Sequence, residues 1–70
     1  MNIIKLHDAN DDSLVYRINV DQLVYYCDHL TEDNTVSGAI VYLGHDVYFD
    51  VKESCEDIDI QIIKLRVARL

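Results

Sequence analysis

Apolar and polar residues alternate along much of this chain. In LVYRINV (14–20), Leu14, Tyr16, Ile18 and Val20 share one face while Arg17 and Asn19 share the other, the period of two that suits a half-buried strand. IIKL (3–6) reads as a short first strand. LVYYCD (23–28) is apolar on both faces, which predicts a strand covered on both sides. AIVYL (39–43) and VYFDVKE (47–53), joined by Gly44, His45 and Asp46, predict a hairpin with Val47, Phe49 and Val51 turned in and Asp50 and Lys52 turned out. Between these segments lie HDANDDS (7–13) and TEDNTVSG (31–38), whose Asp, Asn, Ser and Thr close turns by bonding their own backbone. The chain contains no proline and two glycines, so nothing in it reads as a linker and one domain is expected.

The segment from Ser54 to Leu70, SCEDIDIQIIKLRVARL, supports two readings. Its alternation from Asp57 to Ile62 and again from Ile63 to Val67 suits a strand. As a helix, Ser54 would be the N-cap, Glu56, Asp57 and Asp59 would lie near the positive N-terminal end, and Lys64, Arg66 and Arg69 near the negative C-terminal end. Against the helix stand Ile58, Ile60, Ile62, Ile63 and Val67, each costing a few tenths of a kcal/mol relative to alanine. Capping and dipole contributions of about 0.5–2 kcal/mol leave the local balance close. A helix here would carry two apolar stripes, Cys55, Ile58, Ile62 and Leu65 on one side and Ile60, Ile63, Val67 and Leu70 on nearly the opposite side. One stripe could cover a sheet, leaving the other for a second protomer or a partner. A strand would instead present a sticky edge.

Composition strengthens the expectation of a partner. A chain of 70 residues buries only roughly 60% of its unfolded surface, yet half of these residues are apolar, so some apolar side chains must lie outside the monomer core. A homodimer or a standing protein partner would cover them. The 13 acidic and six basic residues give a net charge of −7. Residues 1–63 hold all 13 acids against Lys5, Arg17 and Lys52, a net of −10, which predicts repulsion from DNA and RNA backbones. No stretch approaches the roughly 18 apolar residues of a membrane span, and the N-terminus lacks a basic segment followed by a long apolar one. A cytoplasmic protein without membrane insertion is expected, with Cys27 and Cys55 as free thiols.

Candidate chemistry is sparse. Cys27 and His29 have a spacing seen in zinc sites, but one such pair falls far short of four ligands, so no metal or other cofactor is expected. His7 with Asp8 and His45 with Asp46 read as solvated turn residues. No serine lies in a GxSxG setting, no glycine belongs to a phosphate-cradling loop, and the carboxylate pairs fall in loops, so no enzymatic activity is expected. Tyr25 and Tyr26 point to opposite faces of a strand. One should be core and the other an interface anchor, and Tyr26 is the expected anchor.

Three stretches, IIKLHDAND, VYRINVDQLVYY and VYFDVKESCEDIDIQI, together resemble the small FlbD-like family of bacteria. The resemblance rests on Ile4, Lys5 and Leu6; on Ile18, Asn19 and Asp21; and on Val51, Lys52, Glu53 and Ser54. It implies an α+β fold, a small four- or five-stranded antiparallel sheet with one C-terminal helix. It also implies no enzyme, since the family includes flagellar accessory proteins that work through protein contacts, alongside phage-borne members. The expected function is therefore a non-enzymatic protein–protein interaction or accessory module. Its partner-binding residues would be Ile60, Ile63, Val67, Leu70 and Tyr26. The alternative is an acidic decoy of the anti-CRISPR type, in which Asp11, Asp12, Glu32, Asp33, Asp46 and Asp50 imitate phosphates and occupy a basic groove on a target protein.

Overall fold

A computed structural model describes residues 2–44 and 46–68. Five antiparallel strands precede one C-terminal helix: β1 (Ile3–His7), β2 (Val15–Asn19), β3 (Tyr25–Leu30), β4 (Val36–Tyr42), β5 (Tyr48–Val51) and α1 (Cys55–Val67). The strands form two ladders rather than one continuous sheet, β1–β2 and β3–β4–β5. A single bridge from Asp8 to Val51 stitches them. Beside it the Ala9 amide donates to the Asp50 carbonyl at 2.9 Å and the Lys52 amide to the His7 carbonyl at 2.9 Å.

Past this bridge β5 ends, and side chains take over the exposed backbone of β1. The His7 amide donates to Glu53 Oε1 at 2.8 Å. Farther along, the Gln61 side chain accepts from the Lys5 amide at 3.2 Å and donates to the Lys5 carbonyl at 3.0 Å, as a neighbouring strand would. The strand edge thereby fixes the position of α1. Ser54 opens the helix as expected. Its hydroxyl accepts from the Asp57 amide at 3.1 Å and the Asp57 carboxylate accepts from the Ser54 amide at 3.3 Å, a capping box. The helical reading of this segment therefore prevails, because its N-terminal donors are satisfied and tertiary burial is added to a nearly balanced local preference.

Ile4, Leu6, Ile18, Ala39, Val41, Val51 and Ile58 form the buried core. Cys55, Ile62 and Leu65 pack against it from α1, so the inner stripe of the helix is the expected one. Tyr16 and Phe49 meet at 4.6 Å between ring centroids and tie β2 to β5 over this core. Gly38 permits close approach of β4 and β5: its φ is 80°, and a Cβ there would lie 2.1 Å from the Val51 carbonyl oxygen. The turn expected at 31–38 is shorter, since Val36 already pairs with Leu30 and opens β4.

Three expectations about facing fail. Leu14 and Val47 lie just outside the strands and are exposed, because turn geometry rather than strand alternation sets their direction. β3 is not covered on both sides. Its register pairs Tyr26 with Val41 and Asp28 with Ala39 on the core side, which leaves Tyr25 and Cys27 on a face that nothing in the described chain covers.

Candidate functional site

The outer stripe of α1 is the first candidate surface. Ile60, Ile63 and Val67 are 44%, 56% and 61% exposed, while Ile58 on the opposite side is fully buried. A helix that packs one side on a sheet cannot cover both stripes. Leu70, expected to extend the outer stripe, lies outside the described residues. Glu56 and Lys64 share this outer side, two turns apart, with Asp57 on the Lys64 flank.

The β3-facing flank of α1 is held by polar contacts. Tyr26 turns inward, its hydroxyl donating to the Asp59 carboxylate. That bond to a carboxylate pushes the Tyr26 phenol up to about 12, with burial adding to the shift. About one turn closer to the start of α1, burial and a hydrogen bond with Asp28 push the Cys55 thiol up to about 11. Tyr26 is therefore not the exposed anchor that was expected. The helix lies on the side of β3 to which Tyr26 points, and Tyr25, at 53% exposure, takes the outward position. An open groove of about 470 Å³ runs between α1 and the start of β3, lined by Leu23, Val24, Tyr25, Tyr26, Ile63 and Arg66 among others. It joins the outer stripe of the helix to the edge of the sheet.

A second apolar surface escaped the sequence reading. Tyr25 stacks on Tyr42 at 4.3 Å between centroids, and Tyr42 leans against Tyr48 at 5.6 Å. Together Tyr25, Tyr42 and Tyr48 form a tyrosine-rich outer face on the three-stranded sheet. Leu30 and Val36, paired at the far end of the β3–β4 ladder, are exposed as well, but alternation along β3 puts Leu30 on the side of Tyr26 and Asp28. The signal that could have found the tyrosine-rich face is the doubly apolar β3, whose second face was assigned a cover that this chain does not provide.

Of the six decoy candidates, Asp11, Asp12 and Asp50 come together beside the β1–β2 turn, where Asp11 and Asp50 both lie near Tyr16, but the six do not form one patch. Glu32 and Asp33 lie in the β3–β4 turn and Asp46 in the β4–β5 turn, at opposite ends of the seven-residue β4, roughly 20 Å apart. Asp11 and Asp12 occupy the β1–β2 turn. There Asp11 accepts from the Ser13 amide and hydroxyl, and Asp12 pairs with Lys52. Asp50 is half-buried in β5. Nor are His7 and Asp8 merely solvated. His7 Nδ1 lies 2.7 Å from Glu53 Oε2, and Asp8 accepts from the Tyr16 hydroxyl at 2.6 Å, a bond that lowers the Asp8 carboxyl below its ordinary value, helped by the Asn10 amide.

Among the described residues, no group of three or more His, Cys, Asp or Glu side chains could hold a metal ion, and no helix is long and apolar enough to cross a membrane. Comparison with protein-family models, curated proteins and solved structures finds no match for this chain.

Proposed function

We propose that this protein is a non-enzymatic protein-interaction module whose working surface is the outer stripe of α1, completed by the groove beside β3. The observation that carries this reading is the line of Ile60, Ile63 and Val67, all at least 44% exposed on a helix whose other side is buried. Keeping such a stripe in water forgoes the roughly 25 cal/mol per Å² that burial contributes, so a protein surface is its natural cover. The FlbD-like pattern of residues supports the same accessory role. A phosphate-mimicking decoy would need its acids on one face, whereas here they are divided between opposite ends of the sheet and two of them are engaged within the chain.

Site-specific photo-crosslinking in the native cell tests this. Ile63→benzoylphenylalanine should give protein adducts that disappear when Ile60→Asp and Val67→Asp are added, while Asp33→benzoylphenylalanine should give none. Adducts from position 33 that persist in the Ile60→Asp/Val67→Asp background, with none from position 63, would contradict the proposal.

A further inference from the structure

Helix α1 carries more than an apolar stripe. Asp57 and Lys64 are seven residues apart, two helical turns, and so share one flank of the stripe; Asp59 and Arg66 have the same spacing on the other flank. On each flank the acid lies in the N-terminal half of the helix and the base in the C-terminal half. Two copies of a helix that pack face to face about a twofold axis perpendicular to the helices run antiparallel, and each flank meets the same flank of the other copy; an axis along the helices gives a parallel pair in which opposite flanks meet. In the antiparallel pair Asp57 faces Lys64 of the second copy, twice over; the Asp59 and Arg66 flank follows the same sense but borders β3, where Asp59 also accepts from Tyr26. Centring the pair between Gln61 and Ile62 sets Ile60 against Ile63 of the second copy and Glu56 beside Val67, and leaves Asp57 and Lys64 about 3 Å out of level, within the reach of a lysine side chain. A parallel pair would instead place acid on acid and base on base.

We infer that the occupant of the α1 stripe is a second copy of this chain, docked as an antiparallel helix pair with Ile60 and Ile63 at its centre and Asp57 and Lys64 paired across its rim. This rests on the stripe being the working surface, and it adds the partner and its orientation. The tyrosine-rich sheet face offers apolar area too, but no comparable arrangement of charges selects an occupant for it. The net charge of −7 on each copy does not forbid the pairing. At physiological salt, charges more than about 8 Å apart are largely screened, and the C-terminal half of α1 that meets the partner's acids is locally basic. A single helix face makes a small interface, so the dimer should be weak, with a Kd of about 10–500 µM.

Sedimentation equilibrium of the whole chain up to about 1 mM tests the inference. The wild-type chain should dimerise, and Ile63→Asp should abolish dimerisation. Lys64→Glu alone and Asp57→Lys alone should each weaken it about tenfold, since two attractions become two repulsions. An equimolar mixture of these two variants restores opposite charges at both rim positions and should dimerise about as well as wild type. Because Asp57 also caps the helix, a second readout leaves the cap intact: spin labels at Ala68→Cys, in a chain whose own cysteines are serine, should lie roughly 20 Å apart or more, against about 10 Å for a parallel pair. Close labels, or a mixture no tighter than its components, would overturn the antiparallel pairing. A monomer at 1 mM that still gives position-63 adducts to a different protein would overturn the second copy as occupant and leave the stripe as an interaction surface.

Discussion

Replacing Ile58 and Ile63 separately by alanine tests the division of α1 into a packed and an open stripe. Ile58 is fully buried among Leu6, Val41 and Val51, and its truncation removes buried methyl and methylene groups and leaves a cavity. Such changes cost about 2–5 kcal/mol, and the better helix propensity of alanine returns only a few tenths. At Ile63, more than half exposed, the lost contact is small and the propensity gain similar in size, so the net change should stay within about 0.5 kcal/mol. A domain of this length has a total stability of roughly 4–10 kcal/mol. A loss of about 3 kcal/mol at Ile58, with a urea dependence near 1 kcal/mol per M, moves the unfolding midpoint by about 3 M. The assay is urea unfolding followed by circular dichroism at about 0.5 µM protein, far enough below the Kd of about 10–500 µM that association contributes little. Equal losses at the two positions, or a loss below about 1 kcal/mol at Ile58, would refute the assignment of the stripes.

Three further outcomes follow from the described contacts. Gly38→Ala should destabilise by more than about 2 kcal/mol in the same assay, because the backbone carbonyl of Val51 occupies the place of the new methyl and φ at this position is positive; a neutral substitution would mean that β4 and β5 do not approach there. At pH 8 iodoacetamide should label the exposed Cys27 well before Cys55, since a thiol pushed up to about 11 presents only roughly 0.1% thiolate; peptide mapping that finds Cys55 first would contradict this. Tyr26 should make stability fall as pH rises from about 10 to about 12. The unfolded phenol loses its proton near 10 while the folded one holds it up to about 12, so over that window the native state binds more protons. Tyr26→Phe should flatten this part of the stability profile, and an unchanged slope would show that the bond to Asp59 does not form.

Much of the architecture is legible in the sequence because local chemistry and burial agree. Ser54 and Asp57 announce the start of α1, the charge gradient suits its dipole, and both apolar stripes can be counted from helical spacing. The β4–β5 hairpin follows from two alternating segments and a short polar break. What was not legible depends on where the helix comes to rest. Alternation says that Tyr25 and Tyr26 point opposite ways, but only the docked helix decides which is inside. The side-chain clamps of Glu53 and Gln61 on the edge of β1 join residues 46 and 56 positions apart and leave no local pattern. The bridge from Asp8 to Val51 likewise replaces the expected solvated turn with a junction between two ladders. The short 3-10 turn at Val20–Gln22, where Asn19 accepts from the Asp21 amide at 3.0 Å, fills the gap between the two expected strands and takes Val20 out of the first.

The most direct test of the central claim is a dilution series by NMR on the isotopically labelled whole chain, from about 1 mM to about 10 µM. If α1 carries the interaction surface, the resonances that move with concentration are those of Ile60, Ile63, Lys64 and Val67, while Leu6, Val41 and Ile58 stay still. Movement confined to Tyr25, Tyr42 and Tyr48 would transfer the working surface to the sheet and contradict the account.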